Sequence, residues 1–138
     1  MLVYECMVPK DQVVTCNPTD TIESVIDKFL DNKISAVIVL SEDEAAGIIT
    51  KTDIAKAYKK GYPLEKTAAS IMNTDLKTTN RGLAHDQAAA VFMKHKIHHA
   101  VVTDDEGKFV GVLSAWDVAR EGYLDAKAWP WNRNVLKA

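Results

Sequence analysis

Two short motifs place a hydroxyl residue three positions before an aspartate, and this spacing can serve two purposes. The motifs are Thr50-x-x-Asp53 and Ser114-x-x-Asp117. At the start of a helix, such a pair forms a capping box that stabilises the helix by about 0.5–2 kcal/mol. The same helix start presents unpaired N–H groups and the positive end of the helix dipole, so a phosphate group can bind beside the hydroxyl. The two interpretations are compatible, and both stay open at this point.

The two motifs belong to an internal repeat. Residues 47–54 and 111–118 both read glycine, two apolar residues, a hydroxyl residue, two variable positions, aspartate and a β-branched residue, at an offset of 64. Upstream, residues 33–39 align with residues 96–102 at an offset of 63. The one-residue difference is assigned to the turn between two strands, where insertions are tolerated. Several colinear matches indicate a true duplication.

Each copy predicts the same order of elements, β-α-β-β-α. In the first copy, Asp20 is the expected N-cap of a helix whose apolar residues follow helical spacing, and Gly61 is the expected stop of the second helix. In the first copy, strands are expected over residues 13–15, 34–40 and 47–49, and the second helix over about 52–60. In the second copy, strands are expected over residues 76–79, 98–103 and 109–113, and the last helix is expected to end near Gly122.

Other donors could complete a phosphate site at either motif. With Ser114, the candidates are His98 and His99, because a neutral imidazole donates one hydrogen bond and an imidazolium two. With Thr50, the candidates are Lys51 and Ser35, which stands where the second copy has His98. A surface histidine is commonly no more than solvated, so both interpretations of the histidines are kept. The set with histidines is the better equipped of the two.

This repeat resembles the CBS domain family, in the two-repeat arrangement known as a Bateman module. The resemblance rests on residues 47–53, 111–117 and the strands 34–40 and 97–104. Residues 98–104 are also similar to the γ subunits of the AMP-activated kinase family, in which a histidine at the position of His98 contacts phosphate beside a basic neighbour. The resemblance implies an α+β fold of two tandem repeats packed sheet to sheet with pseudo-two-fold symmetry. We expect repeat 1 over residues 1–64, repeat 2 over 65–122 and a tail over 123–138, all in one module.

The resemblance also implies which residues bind an adenine nucleotide in a cleft between the repeats. The aspartate of each motif would bind the ribose hydroxyls, and apolar strand residues would hold the adenine through backbone contacts. The better-equipped site would comprise Ser114, Asp117, His98, His99, Val14, Ile34, Ser35, Ala36 and Leu113, with Ile49 as an alternative to Leu113. The second site would comprise Thr50, Asp53, Lys51, Thr78, Ile97 and Ala100, with Lys77 as an alternative to Thr78. Apolar strand residues are mostly core, so a purely structural role is the other possibility.

Composition narrows the function classes. The 138 residues are 47% hydrophobic and 26% charged with a net charge of −2, which is typical of a soluble domain and gives no reason to expect nucleic acid or a membrane as partner. No secretory leader is expected, so the chain is expected to be cytoplasmic, with Cys6 and Cys16 as reduced thiols. The four histidines and two cysteines lack metal-ligand spacing, so no metal site is expected. Motifs for nucleotide hydrolysis, dinucleotide binding or nucleophilic catalysis are missing.

The sequence therefore predicts a non-catalytic regulatory module that binds AMP, ADP or ATP as a regulatory ligand, needs no obligatory cofactor and forms a homodimer. Its regulated partner protein is not identified by the sequence. Two alternatives are a ligand-free dimerisation or protein-interaction scaffold and a binder of S-adenosylmethionine. The tail segment Trp129-Pro130-Trp131 is expected to pack on the chain's own core or across a dimer, with binding to a partner or covering of the site as the alternative.

Overall fold

The computed structural model describes residues 1–128, and the side chains of residues 1–122. Both copies of the repeat adopt the predicted β-α-β-β-α order, and a short helix and strand precede the first copy. The elements are α1 (Val3–Cys6), β1 (Val8–Pro9), β2 (Thr15–Cys16), α2 (Ile22–Asp31), β3 (Ala36–Ser41), β4 (Glu44–Thr50), α3 (Lys51–Lys59), β5 (Thr78–Asn80), α4 (His85–His95), β6 (His99–Thr103), β7 (Phe109–Ser114) and α5 (Ala115–Ala128), with 3-10 turns at Lys10–Gln12 and Ala68–Ser70.

The chain divides into two compact units that do not coincide with the expected repeats 1–64 and 65–122. One, here called the contiguous unit, is Asp11–Leu76; the other, the discontinuous unit, joins Met1–Lys10 to the chain from Lys77 onward. The first segment of each expected repeat, residues 1–10 or 65–76, thus belongs to the unit that holds the rest of the other repeat. The cause is hydrogen bonding at a sheet edge: β1 pairs antiparallel with β7, and Asn73 forms an isolated bridge with Ile48 at the edge of β4.

The contiguous unit contains a three-stranded sheet in the order β2-β3-β4, with β2 parallel and β4 antiparallel to β3. The β-branched residues predicted to form a buried strand do so, since Val37, Ile38 and Val39 are at most 1% exposed. The side chains of Val37 and Val39 meet Val25 of α2 and Ile49 of β4 in one core. This core supports the end of β4, where Thr50 is the N-cap of α3.

The discontinuous unit contains a four-stranded sheet in the order β1-β7-β6-β5. Its core includes Val3 of α1, Phe92 of α4, Val102 of β6 and Leu113 of β7. The short helix α1 is therefore a core element of this unit, since Val3 is 0% exposed. The sequence pattern predicts no helix or strand before residue 13.

Strand register confirms the alignment of the two copies. Ala36 pairs with Thr50 in the contiguous unit, and His99 pairs with Ser114 in the discontinuous unit. Both hairpins carry an irregularity at the same place, after Val39 and after Val102. The turn spans residues 42–43 in the first hairpin and 104–108 in the second. Each strand of the second hairpin is one residue shorter at the turn, so one extra residue remains, and it lies in the turn. The expected position of the insertion is correct.

The repeated glycines Gly47 and Gly111 each lie against a methionine from the first segment of the other repeat, Met72 and Met7 respectively. A Cβ built on Gly47 would lie 2.5 Å from Sδ of Met72, and one built on Gly111 would lie 2.8 Å from Sδ of Met7. At Gly111 the backbone oxygen of Val8 would also lie 2.5 Å from that Cβ. Close approach of another segment therefore explains why both copies carry glycine here.

Several predicted helix ends are refined by the structure. Thr21, not Asp20, is the N-cap of α2, because its hydroxyl accepts a hydrogen bond from the Ser24 N–H at 3.1 Å. The carboxylate of Asp20 accepts from the Asn17 N–H instead and closes the preceding turn. The last helix continues past Gly122 to Ala128. The segment Trp129-Pro130-Trp131 lies outside the described residues, so the predictions for the tail stay predictions.

Candidate functional site

The first hydroxyl–aspartate pair lies at the N-terminus of α3, as the sequence predicts. Asp53 Oδ2 accepts hydrogen bonds from the Thr50 N–H at 2.8 Å and from the Thr50 hydroxyl at 3.1 Å. The Thr50 side chain does not itself cap an N–H group of the helix. Only the half of the box in which the acid binds back to the N-cap is therefore formed here.

The second pair, at the N-terminus of α5, forms the complete box. Asp117 Oδ2 accepts from the Ser114 N–H at 2.9 Å and from the Ser114 hydroxyl at 2.8 Å. In return, the Ser114 Oγ accepts from the Asp117 N–H at 3.1 Å. Reciprocal bonds of this kind hold both side chains in place at the helix start. Among the described residues, the hydrogen bonds to both aspartates converge on Oδ2, which leaves Oδ1 of each for other donors.

The two predicted histidines lie beside the second pair. His99 begins β6 directly opposite Ser114, and the carbonyl of His98 accepts a hydrogen bond from the Ala115 N–H at 2.8 Å. The His98 side chain is exposed and that of His99 is half-buried. Burial lowers the pKa of His99 from 6.5, the nearby His98 lowers it further, and Asp117 opposes the shift. His99 is therefore a neutral imidazole near neutral pH.

The equivalent corner of the contiguous unit has different chemistry. Ala36 opposes Thr50 in the strand register, and Ser35 lies exposed just before β3. Lys51 is the exposed first residue of α3. The Val14 carbonyl accepts a hydrogen bond from the Ile38 N–H at 3.2 Å and so extends the pairing of β2 with β3. This corner presents a lysine and two hydroxyls where the other presents two histidines and one hydroxyl.

The apolar candidates divide into buried and accessible residues. Leu113 is 0% exposed, Ala100 2% and Ile49 0%, so the side chains of all three belong to the cores and only their backbones could contact a ligand. Ile34 and Ile97 are half-buried at the edges of the cores. Thr78 is exposed at the start of β5, next to Lys77, whose carbonyl accepts from the Val101 N–H at 2.9 Å.

The predicted residues are thus grouped by unit in the structure. The discontinuous unit holds Ser114, Asp117, His98, His99, Leu113, Thr78, Ile97 and Ala100, and the contiguous unit holds Thr50, Asp53, Lys51, Val14, Ile34, Ser35 and Ala36. Site assignments that combine residues of both groups stay predictions.

Both cysteines are thiols affected by burial. Both cysteines are free, and burial raises the pKa of Cys16 to about 11 and that of Cys6 in the same direction. No group of three potential metal ligands is found within the described part of the chain. Within residues 1–128, no helix combines the length and apolar character needed to cross a bilayer.

Comparison with known proteins identifies the family. The model of the CBS domain matches residues 3–60 and again residues 68–123. The chain belongs to the CBS domain family. Two matches on one chain agree with the duplicated β-α-β-β-α order and the shared strand register.

The chain spans less than two thirds of the length of the first curated relatives that it matches. It is 30% identical over 123 residues to the uncharacterized protein MK0525 of Methanopyrus kandleri, covering 86% of this chain and 63% of that protein. It is 29% identical over 99 residues to the inosine-5′-monophosphate dehydrogenase of Nitrosopumilus maritimus, covering 71% of this chain but only 20% of that enzyme. The chain therefore resembles only a small part of the enzyme.

Solved CBS structures share the fold. CBSX2, solved in complex with AMP, superposes with a TM-score of 0.80 at 17% identity and covers 91% of this chain and 98% of its own. The CBS protein PAE2072 of Pyrobaculum aerophilum, complexed with AMP, gives 0.76 at 25% identity, with 85% and 89% coverage. The CBS pair of MJ0100, complexed with 5-methylthioadenosine and S-adenosyl-L-methionine, gives 0.77 at 25% identity, with 88% and 94% coverage.

Proposed function

We propose that this CBS chain is a non-catalytic regulatory module that binds an adenine nucleotide (AMP, ADP or ATP). The observation that carries the proposal is the complete Ser114–Asp117 box at the start of α5, with His98 and His99 beside it. Two structures with 25% identity to this chain were solved with AMP or with S-adenosyl-L-methionine and 5-methylthioadenosine, which supports adenosine-containing ligands as the class.

The corner around Ser114 offers the donors and acceptors that such a ligand needs. The positive end of the α5 dipole favours a phosphate at the helix start, where the N–H groups of Ser114, Ala115 and Asp117 are already bonded within the chain. His98 is exposed beside that position and can donate from its imidazole. Asp117 keeps Oδ1 outside the box, so it can accept from a ribose hydroxyl without loss of the cap.

The corner around Thr50 is proposed as the weaker one for the same ligand class. Its hydroxyl donates to Asp53 and is not itself a cap, and its cation is the exposed and flexible Lys51. A flexible exposed lysine loses side-chain entropy on binding, which reduces its net contribution. We therefore propose two unequal contributions to ligand binding.

Titration calorimetry with AMP, ADP, ATP and S-adenosylmethionine tests the proposal, preceded by mass spectrometry for nucleotide that co-purifies with the untreated protein. Asp117→Ala should weaken nucleotide binding by about tenfold or more, since hydrogen bonds to a charged group contribute about 1.5–3 kcal/mol. Asp53→Ala is the matched control, because it also removes a capping acid, and it should have the smaller effect. The proposal is wrong if none of the four ligands binds at millimolar concentration. The site assignment is wrong if Asp117→Ala binds like the unmodified chain.

A ligand-free dimerisation scaffold is the second candidate, and one pair of residues favours an interface. Leu30 of α2 and Met93 of α4 stand at equivalent positions of the two copies and are 78% and 73% exposed. We propose that these side chains contribute to a homodimer. Sedimentation of Leu30→Gln with Met93→Gln should show less dimer than the unmodified chain. A dimer without nucleotide binding would favour the scaffold.

The remaining expectations stay predictions. They are a cytoplasmic location, the lack of an obligatory cofactor, and a regulated partner protein that is not yet identified.

A further inference from the structure

The contiguous unit holds a second feature, a surface pocket along α3, which shares only Asp53 with the nucleotide-binding residues proposed around Thr50. Its volume is about 170 Å³, and its lining residues are Asp53, Lys56, Ala57, Lys60, Tyr62, Ser70, Ile71 and Met72. A pocket for a drug-sized ligand has a volume of about 300–1,000 Å³, so this one fits a small group. Its walls come from one face of α3 and from the chain between the repeats.

The wall opposite the helix is held in place by the end of α3. Gly61 adopts a left-handed conformation with φ +74°, the Gly61 N–H donates to the Tyr58 carbonyl at 3.0 Å, and the Tyr62 N–H donates to the Ala57 carbonyl at 3.1 Å. These two bonds form a Schellman motif, which turns the chain back along the helix. The predicted stop at Gly61 is confirmed, and its consequence is that Tyr62 lines the pocket.

The following segment is also anchored. The Ile22 N–H donates to the Lys66 carbonyl at 2.8 Å, the Ala68 N–H donates to the Asp20 carbonyl at 2.7 Å, and Asn73 bridges to Ile48. The Ser70 hydroxyl donates to the Thr67 carbonyl at 2.6 Å and so is not available as a donor. The pocket therefore has pre-formed walls, and its polar donors are the lysines and Tyr62.

The pocket collects positive charge. The Nζ atoms of Lys60 and Lys66 lie 5.9 and 3.9 Å from the centre of the Tyr62 ring, and Lys56 lines the same pocket one turn before Lys60. The single carboxylate in the lining, Asp53, accepts two hydrogen bonds from Thr50, and its charge offsets one of the two lysines that line the pocket. Lys60 and Lys66 both lie over the Tyr62 ring and their like charges repel each other, so an anion beside Lys60 would reduce this repulsion.

We infer that this pocket binds a small phosphate anion, of the class of inorganic phosphate or pyrophosphate. The anion would be held between Lys56 and Lys60, with the Tyr62 hydroxyl as a further donor. Lys56 and Lys60 take no part in either proposed nucleotide corner, and the pocket shares only Asp53 with the one around Thr50.

Titration calorimetry with pyrophosphate and with inorganic phosphate, at low and constant salt, tests the inference on the full chain. Lys56→Gln and Lys60→Gln should each weaken pyrophosphate binding by about tenfold, because each removes one charge-assisted contact. Lys59→Gln is the matched control: it removes the same charge from the last turn of α3, but Lys59 is not part of the pocket lining. Binding to Lys59→Gln should equal binding to the unmodified chain.

Two results would overturn the inference: no binding of either anion at millimolar concentration, or equal weakening by all three lysine variants, which would indicate diffuse attraction to the helix. A second titration, with AMP in the presence of saturating pyrophosphate, separates the two proposals. Unchanged AMP binding supports a separate anion site. Mutual exclusion would overturn it and assign the lysines to the nucleotide site.

Discussion

The backbone oxygen of Val8 lies 2.5 Å from the place that a Cβ on Gly111 would occupy. This contact follows from the pairing of β1 with β7, in which Pro9 and Gly111 are partners. The backbone of Val8, near the start of the chain, therefore leaves no room for a side chain at position 111 of the second repeat. The same contact gives the first prediction.

Gly111→Ala should lower the free energy of unfolding by about 1–3 kcal/mol, since overpacking against backbone forces strands apart. Gly47→Ala should cost less, because a methyl group there meets no backbone atom among its nearest neighbours and the Sδ and Cγ atoms of Met72 can move, although the Met72 Cβ at 2.9 Å must also shift. Urea unfolding followed by circular dichroism measures both. An equal or larger loss for Gly47→Ala would contradict this account of the edge pairing.

Ser114→Ala should destabilise the chain by about 1 kcal/mol, because it removes the acceptor that caps the Asp117 N–H. Thr50→Ala should cost less, since the Thr50 side chain caps no helical N–H group. Chemical unfolding of both variants, without ligand, gives the comparison. Equal losses would show that the two boxes are energetically alike and would weaken the case for unequal sites.

His99 should make the stability of the protein depend on pH. Burial lowers its pKa below 6.5 in the folded state, so the unfolded chain binds the proton more readily. The contribution of neutral, partly buried His99 to the free energy of unfolding is therefore fully present above pH 6.5 and is lost as the pH falls through the lower pKa of the folded state. Unfolding at pH values of about 7.5 and 5.5 should show a smaller pH dependence in His99→Ala than in the unmodified chain.

A control for the loss of packing is Ala100→Gly, which removes a buried side chain next to His99 in β6 and changes no titratable group. It should lower the stability by the same amount at both pH values. If His99→Ala also leaves the pH dependence unchanged, then His99 is not the residue responsible.

Thr79→Val should stabilise the chain by about 1 kcal/mol, because an unsatisfied buried polar group costs about that much or more. Thr79 lies in β5 at 4% exposure, and its hydroxyl has no hydrogen-bond partner among the described residues. Thr79→Ser keeps the hydroxyl and loses a methyl group, so it should destabilise. Thermal unfolding distinguishes the two, and a lower midpoint for Thr79→Val would show that the hydroxyl has a partner in solution.

Local patterns predicted the elements of this fold well. Residues 34–40 were expected to form a buried strand, and β3 spans Ala36–Ser41 with its centre in the core. The predicted boxes at Thr50 and Ser114 exist because capping depends on residues three positions apart, which sequence records directly. Asp20 was the wrong cap for α2, since Thr21 satisfies the same rule one position later and the Asn17 turn uses the Asp20 carboxylate.

Long-range pairing was not predictable in the same way. Strand β1 has two residues, too few for a periodic pattern, so its pairing with β7 left no mark in the sequence except the glycine at 111. The pocket along α3 was equally hidden, because Lys56 and Tyr62 meet there only after the Schellman turn at Gly61. Burial of Leu113 and Ala100 likewise depends on which strands pair.

By itself, the sequence determined the duplicated order of elements, the two hydroxyl–aspartate pairs and the difference between His98-His99 and Ser35-Ala36, because these depend on residue type and local spacing. Only the tertiary structure decided which segment joins which sheet, that His99 lies opposite Ser114 with a lowered pKa, and that Lys60 and Lys66 lie over the Tyr62 ring. Those features arise from hydrogen bonds and packing between residues far apart in the chain. Such contacts form, and stabilise the protein, only after folding has brought the residues together.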